Sequence, residues 1–477
     1  MHYGCGFDII PALSLSDAQV LFCEFHQATW LVSRMARKKA LQLPQQMKVA
    51  FVTFGCRLNR AESLDLEARY QAAGHEIVDL GMTSRETGGP NPVADNIPDL
   101  ILVRGCSVTA KAQRDCEKAI AHLHARYPST EIRPIGCLPN AQPSPTPPFK
   151  LPTTNPQLPP PNYQQPTTNS IPLQTSRAYL KIQDGCNGKC SFCIVPHFRG
   201  APESVPIDEI MVRTRAFFAA GYREIVLTGC NLSLYKSDGH NFASLLDILG
   251  KIAGAVPARI RIGSLEPSKG CEEILDVMEK HPNICRFLHL SLQSGSDRIL
   301  KRMKRPYNIE LVDRFCTMAR ERLGTDLALG ADVITGFPGE TDEDFAATRD
   351  FLVRHAFSNL HVFPYSERPD TPAATMAGSV PRPVRLVRAR NLTALGRIQR
   401  AAFAQSFLGR EVEVCVERGG EHGWTDAYLP CKWKGPAERR SLVRTRVIAV
   451  DGDTLLAFTR QGRTSQTSAI SPTLRRP

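Results

Sequence analysis

The apolar and polar positions of the chain fall into alternating strand and helix patterns that begin close to Met47. The first 46 residues show no clear period, so we assign them no function and expect that translation could begin at Met47. The next part alternates strand, helix, strand, helix and strand over residues 48–54, 61–74, 100–103, 111–127 and 132–135. This order predicts a small α/β domain with a parallel sheet, over residues 47–140.

A proline-rich segment follows this domain. Twelve prolines fall among the 34 residues from Pro139 to Pro172, mixed with Thr, Asn and Gln. Such a stretch lacks amide donors and cannot bury a core, so it predicts an extended or disordered linker over residues 141–176.

Six further strand patterns alternate with helices in the middle of the chain, which predicts a second domain over residues 177–380. The strands are predicted at residues 179–182, 224–228, 259–264, 287–292, 327–335 and 360–364. Regular βα repetition gives either an open doubly wound sheet or a whole or partial barrel. In both folds, the chemistry lies at the C-terminal ends of the strands.

Residues 381–477 predict a basic helix followed by a small antiparallel β-domain. They hold 18 Lys/Arg against 8 Asp/Glu, a net charge of +10, whereas the whole chain carries +12. Alternating runs at 411–416 and 441–458 indicate the strands. Six arginines come without an acid among them: Arg382, Arg385, Arg388, Arg390, Arg397 and Arg400. A basic β-module at the end of an enzyme favours RNA binding over the alternative of a merely soluble surface.

Length and composition exclude several classes of protein. At roughly 150 residues per domain, 477 residues suggest two to four domains, and 42% apolar residues are typical of a globular chain. No apolar run reaches the roughly 18 residues that a bilayer span needs, so we expect no membrane partner. Fifteen cysteines without a signal-peptide pattern favour a cytoplasmic metal or redox site over a disulfide framework.

The sharpest chemical signal is a C-x3-C-x2-C triplet, Cys186, Cys190 and Cys193, directly after the first strand of the βα series. Three thiolates in one loop can hold three irons of a 4Fe-4S cluster and leave the fourth iron open to a ligand. The alternative is a structural zinc site. That site would need a fourth ligand, and His197 is the nearest histidine.

Three other cysteines each follow a predicted strand of the first domain: Cys56, Cys106 and Cys137. The C-terminal ends of parallel strands share one edge, so these thiols are expected to converge at a second cluster site. Cys116 shares a helix face with Ile120 and is predicted to lie in the core.

These patterns resemble the radical S-adenosylmethionine methylthiotransferases. Phe192 occupies the aromatic position of the C-x3-C-x-Φ-C signature, and the family combines a three-cysteine domain, a radical barrel and a C-terminal TRAM barrel. The strings are most similar to the branch that acts on threonylcarbamoyladenosine in tRNA. They are Leu227–Gly229, Ser264–Pro267, Leu290–Asp297, Asp332–Thr341 and His361–Ser366.

The resemblance implies an activity and its cofactors. The first triplet would hold the radical cluster, and Cys56, Cys106 and Cys137 would hold an auxiliary 4Fe-4S cluster that carries sulfur. Two S-adenosylmethionine molecules would be used for each methylthio group placed on C2 of the adenosine at position 37 of the tRNA anticodon loop. An external electron donor and a sulfur donor are the further partners expected.

The resemblance also implies contacts to the cofactor. Thr228, Gln293 and Ser294 would meet its amino acid and ribose, and Phe192 its adenine; a turn or packing role is the alternative for the first three. Glu266 and Arg199 could orient the substrate, or could simply lie at the surface.

Two alternatives for the function stay open. One is methylthiolation of isopentenyladenosine or of an aspartate on a ribosomal protein. The other is a cluster-bearing RNA-binding protein without catalysis, because the α/β segment expected after Cys137 is replaced by the proline-rich stretch. That loss is expected to leave an edge of the first sheet unpaired or covered by the linker.

Overall fold

The N-terminal strands form a four-stranded parallel sheet whose spatial order is residues 76–78, 48–53, 100–105 and 131–136. The computed structural model describes residues 46–80, 97–138, 175–267, 270–435 and 437–458. In chain order the elements of this part are β1 (Lys48–Thr53), α1 (Arg57–Ala72), β2 (Glu76–Val78), β3 (Leu100–Gly105), α2 (Ala110–Arg126) and β4 (Glu131–Gly136).

The sequence prediction for this sheet was incomplete in two places. It omitted β2, which has only three residues, and it began the first helix at Ala61 rather than at Arg57. Among the described residues, β4 pairs only with β3. It carries Pro134, which has no amide to offer a further strand, as is usual at a sheet edge. Residues 141–174 of the predicted linker and residues 1–45 lie outside the described residues.

The middle of the chain repeats strand and helix. Its elements are β5 (Ala178–Lys181), β6 (Gln183–Asp184), α3 (Val195–Arg199), β7 (Glu203–Ser204), α4 (Ile207–Ala219), β8 (Glu224–Thr228), β9 (Lys236–Ser237), β10 (His240–Asn241), α5 (Phe242–Gly254), β11 (Arg259–Arg261), β12 (Ser264–Leu265), α6 (Glu272–Lys280), β13 (Phe287–Gln293), α7 (Asp297–Arg302), α8 (Ile309–Leu323), β14 (Ala328–Thr335), α9 (Asp342–Arg354) and β15 (Asn359–Pro364).

Parallel pairing joins these strands as a partial barrel of six βα units. β5, β8 and β11 form one sheet and β12 to β15 the next. The third predicted strand is divided into β11 and β12 by Ile262 and Gly263. A Cβ on Gly263 would lie 2.5 Å from the carbonyl oxygen of Leu227, so the chain passes too close to β8 there for a larger residue. The six predicted strands are otherwise confirmed.

The C-terminal part is a long helix followed by a closed five-stranded barrel. The elements are α10 (Arg382–Gln405), β16 (Glu411–Val416), β17 (His422–Thr425), β18 (Pro430–Trp433), β19 (Leu442–Asp451) and β20 (Thr454–Phe458), and the barrel order is β16-β17-β18-β20-β19. This confirms the predicted β-domain, which is antiparallel except that β18 and β20 pair in parallel. No helix in the described ranges is both long enough and apolar enough to cross a bilayer.

A buried ionic network joins this barrel to the start of β8 and β11. Glu224 lies between Arg259 and Arg261, at 2.6 and 2.7 Å. The two guanidinium groups also donate hydrogen bonds to the backbone carbonyls of Trp424, Thr425 and Asp426. Because each charge is paired and hydrogen-bonded, the network can be buried, and it fixes the small barrel at the N-terminal end of the strands.

Candidate active site

The loop after β6 brings Cys186, Cys190 and Cys193 together at the C-terminal end of the first barrel strands. Backbone amides donate to two of the sulfurs, Gly188 N to Cys186 Sγ at 3.2 Å and Val195 N to Cys193 Sγ at 3.4 Å. Burial and the two neighbouring thiols raise the pKa of Cys193 to about 11. A buried thiol of this kind gives up its proton when a metal takes its place.

A guanidinium lies beside the sulfur of Cys190, the remaining cysteine of this loop. Arg305 Nη1 donates to Cys190 Sγ at 2.9 Å, and Arg305 Nη2 lies 2.6 Å from Glu266 Oε2. Its Nε donates to the hydroxyl of Tyr307, which in turn donates to the carbonyl of Leu292 at 3.0 Å. The contacts of Arg305 and Tyr307 therefore connect the cysteine loop to the ends of β12 and β13.

The structure also brings together Cys56, Cys106 and Cys137, one after each of β1, β3 and β4. Gly105 and Gly136 are register partners, so Cys106 and Cys137 leave adjacent strands side by side. A Cβ on Gly55 would lie only 2.6 Å from the Cβ of Cys106, which brings the first strand end against the second. Cys106 and Cys137 are buried, whereas Cys56 is exposed.

The pKa of the buried thiols in this second group is raised. Burial, together with the nearby sulfurs of Cys56 and Cys137, raises the pKa of Cys106 to about 11. Burial also raises the pKa of Cys137, although the guanidinium of Arg199 opposes that rise. Cys116 is fully buried, and its Sγ lies 3.4 Å from the amide nitrogen of Cys106. It therefore lies in the core behind the group, as predicted.

Arg199 connects the two cysteine groups. Its Nε donates to Cys137 Sγ at 3.2 Å, and its Nη1 donates to Asp184 Oδ1 at 3.0 Å, two residues before Cys186. Nη1 also donates to Glu62 on α1 at 2.9 Å. Burial alone would raise the pKa of Glu62, but Arg199, Lys181 and Arg104 hold it below its usual range. Arg199 is thus engaged between the two domains and does not lie loose at the surface.

Known proteins match both halves of this site. The Radical SAM superfamily matches residues 180–352, and a group described as uncharacterized protein family UPF0004 matches residues 48–147. Threonylcarbamoyladenosine tRNA methylthiotransferase MtaB of Bacillus subtilis is 32% identical over 426 residues, which cover 81% of this chain and 90% of the relative. The chain belongs to the radical SAM tRNA methylthiotransferase family. It is therefore an enzyme of that family, as its motifs predicted.

Other members and solved structures are also similar to this methylthiotransferase. The tRNA-2-methylthio-N(6)-dimethylallyladenosine synthase of Thermobifida fusca is 34% identical over 402 residues, 77% of each chain. A solved structure of the radical S-adenosylmethionine methyltransferase TsrM from Kitasatospora setae is 14% identical. It covers 69% of this chain and 77% of its own, with a TM-score of 0.47.

The donor chemistry of the methylthiotransferase fits iron–sulfur clusters. Each group offers three sulfur atoms, and each has a guanidinium hydrogen-bonded to one of them, Arg305 at Cys190 and Arg199 at Cys137. Hydrogen bonds to sulfur stabilise the negative charge that a thiolate-ligated cluster carries. A Cβ on Gly188 would lie 3.2 Å from Cys186 Sγ, so the loop is closely wrapped around its sulfurs.

The four residues predicted to contact the cofactor lie at strand ends or in the cysteine loop. Gln293 ends β13 with a positive φ of 65°, a strained conformation for a residue with a side chain, and such strain is frequent at functional sites. Thr228 is buried at the end of β8. The Ser294 hydroxyl lies 3.3 Å from Thr348 Oγ1, so it also holds a turn. The ring of Phe192 packs edge-on against Phe337. Their roles toward the cofactor stay predictions.

Sequence reasoning missed several polar residues of the site. Arg305 has no local pattern that marks it, because its contacts lie 115 and 39 positions away at Cys190 and Glu266. His361 and Asp332 belong to the segments that resemble the family, and only the folding of the barrel brings them together with His289. Cys230, after the Thr228 turn, places its Sγ 3.4 Å from Asp184 Oδ1.

Proposed function

We propose that this methylthiotransferase adds a methylthio group to C2 of N6-threonylcarbamoyladenosine at position 37 of tRNA. In this proposal Cys186, Cys190 and Cys193 hold the radical 4Fe-4S cluster and Cys56, Cys106 and Cys137 hold an auxiliary 4Fe-4S cluster, with two S-adenosylmethionine molecules used per product. When bound, these groups supply radical formation and the sulfur atom. Electrons and sulfur come from external donors.

One observation carries the proposal: two separate three-cysteine groups lie at the strand ends of adjacent parallel sheets and share Arg199 between them. A protein with a single cluster would have no use for a second group of three thiols, two of which are buried. The match extends over 90% of the Bacillus subtilis relative and 77% of the Thermobifida fusca synthase, at 32% and 34% identity, and the longer match favours threonylcarbamoyladenosine over isopentenyladenosine as the substrate.

The chain's own residues have distinct tasks in this scheme. The amides of Gly188 and Val195 and the guanidinium of Arg305 would stabilise the sulfurs of the radical cluster. Arg199 would do so for Cys137 and would hold the two sites at a fixed separation. The exposed arginines of the C-terminal barrel would supply phosphate contacts to the tRNA.

Mass spectrometry of tRNA nucleosides tests the substrate. A strain that lacks this protein is expected to lose 2-methylthio-threonylcarbamoyladenosine and to regain it on complementation. Loss of the methylthio derivative of isopentenyladenosine instead, or of no nucleoside, would contradict the proposal. Oxygen-free protein given dithionite and S-adenosylmethionine is expected to yield 5′-deoxyadenosine, whereas a binding protein without catalysis would yield none.

A further inference from the structure

Three polar side chains form a hydrogen-bonded chain across the last three strands of the partial barrel. His289 Nε2 lies 3.0 Å from Asp332 Oδ1, and His361 Nδ1 lies 3.1 Å from the same oxygen. Asp332 and His361 are register partners on β14 and β15, and the two imidazole centroids are 4.6 Å apart. One carboxylate oxygen therefore orients both rings.

The side chains of His289, Asp332 and His361 face the inside of the barrel. On β15, Leu360 and Val362 pack against the apolar core that includes Leu395 of α10, so the alternating His361 and Phe363 point the other way. Both of these inward side chains are exposed to solvent. At about 3.3 Å per residue, His361 lies about 10 Å below the C-terminal end of β15. A substituent on a base bound at the strand ends would have to extend into the barrel by about this distance to meet the imidazole.

The fold makes room for this arrangement. A Cβ on Gly330 would lie 2.5 Å from His289 Nδ1, so only glycine at that position admits the buried imidazole. The exposed fraction of the side chain rises across the three hydrogen-bonded residues, from 3% for His289 to 21% for Asp332 and 46% for His361. The imidazole of His361 is therefore fixed by Asp332 on its buried side and accessible on its other side.

We propose that His361, oriented by Asp332, binds the polar group on N6 of the substrate adenosine and so selects it against a hydrocarbon group. This inference rests on the proposed function. No described residue hydrogen-bonds Nε2 of His361, which leaves that atom for the ureido, hydroxyl or carboxylate groups of a threonylcarbamoyl substituent. An isopentenyl group would displace the water that hydrogen-bonds the imidazole and would offer no hydrogen bond in its place. Leaving the imidazole without a partner in this way costs binding free energy.

Besides the Asp332 carboxylate, one positive side chain lies near this group of residues. Arg57, which follows Cys56, lies close enough to His289 to lower its pKa, although burial is the larger cause. The Arg57 guanidinium also donates to the hydroxyl of Tyr428 at 3.0 Å. A positive group therefore reaches this part of the barrel from the first domain.

The test compares binding of three tRNAs to the oxygen-free, cluster-loaded protein. They differ only at position 37, which carries adenosine, its threonylcarbamoyl derivative or its isopentenyl derivative. The wild type is expected to bind the threonylcarbamoyl form most tightly. His361→Ala is expected to reduce that preference by about tenfold to a hundredfold, the value of one hydrogen bond to a charged group, and to leave the affinity for unmodified adenosine unchanged.

Two further variants complete the design. His361→Gln, which keeps a polar group at this position, is expected to restore part of the preference, and the exposed His124→Ala on α2 is expected to change nothing. In turnover, the effect of His361→Ala is expected in KM more than in kcat.

The outcomes separate the inference from the proposed function. If the wild type does not prefer the threonylcarbamoyl form, the proposed function fails. If the wild type prefers it and His361→Ala keeps the full preference, the inference alone is wrong. If chelation removes the preference and Mn²⁺ restores it, the three side chains bind a metal, and the inference is equally wrong.

Discussion

Arg199 Nε lies 3.2 Å from Cys137 Sγ, and this hydrogen bond joins the barrel to the cysteine group of the first domain. The same guanidinium contacts Asp184, Glu62 and Asn59, so all of its nitrogens are used. A planar guanidinium can satisfy several acceptors in fixed directions at once, which a lysine cannot do. Arg199 therefore contributes to the geometry between the two sites, together with the Lys181–Glu62 and Arg213–Asp65 pairs.

Arg199→Gln is expected to lower the reduction potential of the auxiliary cluster and to leave that of the radical cluster unchanged. Removing a positive charge and a hydrogen bond from Cys137 disfavours the more negative, reduced state. Redox titration followed by electron paramagnetic resonance measures both potentials. Arg199→Lys keeps the positive charge, so the potential of its auxiliary cluster is expected to lie between those of the wild type and Arg199→Gln. The exposed Arg215→Gln on α4 is the control, and equal shifts in both variants would contradict the prediction.

The two cysteine groups are expected to separate by iron content and by product. Wild-type protein should hold about eight irons, and either Cys190→Ala or Cys106→Ala should hold about four. Only Cys190→Ala should abolish 5′-deoxyadenosine, whereas Cys106→Ala should still form it without methylthiolating tRNA. The buried Cys316→Ala on α8 should match the wild type in both assays. Bound zinc in the wild type would refute the assignment.

Gly55→Ala is expected to empty the auxiliary site while the radical site keeps its iron. The new Cβ would lie 2.6 Å from the Cβ of Cys106, at a position with φ of 95°. Gly74→Ala is a matched control, because Gly74 has φ of 88° and no atom within 4 Å of the new Cβ. Its cost should be only that of the strained backbone, about 1–2 kcal/mol in thermal unfolding. Equal iron loss in both variants would show that strain, and not the clash, is responsible.

The basic residues of the C-terminal part are expected to divide into two groups. Arg444 and Arg446 are exposed on β19, and glutamine at either should lower tRNA affinity and reduce the salt slope by about one. Arg388 is buried and paired with Glu340 at 2.6 Å, so Arg388→Gln should lower the melting temperature instead. Filter binding across salt concentrations and calorimetry measure the two effects. A salt slope that Arg444→Gln leaves unchanged would exclude that contact.

The arginine-rich helix shows where the sequence pattern misled. Its six arginines contribute to the positive charge from which RNA contacts are predicted for residues 381–477, but Arg385 and Arg388 are buried, and Arg400 pairs with Asp453 at 2.6 Å. Only Arg382, Arg390 and Arg397 are exposed. Charge counting cannot distinguish these groups, because the acids that pair with Arg388 and Arg400 lie 48 and 53 positions away.

The sequence by itself determined the six barrel strands, the presence of a C-terminal β-domain and the spacing of Cys186, Cys190 and Cys193, because period and spacing are local properties of a chain. It also indicated that Cys56, Cys106 and Cys137 converge, since parallel strands end at one edge. Only the tertiary structure decided that Arg199 joins the two groups and that His289, Asp332 and His361 form one chain. Those contacts join residues 15 to 140 positions apart, and no local pattern encodes which partner a polar side chain will meet.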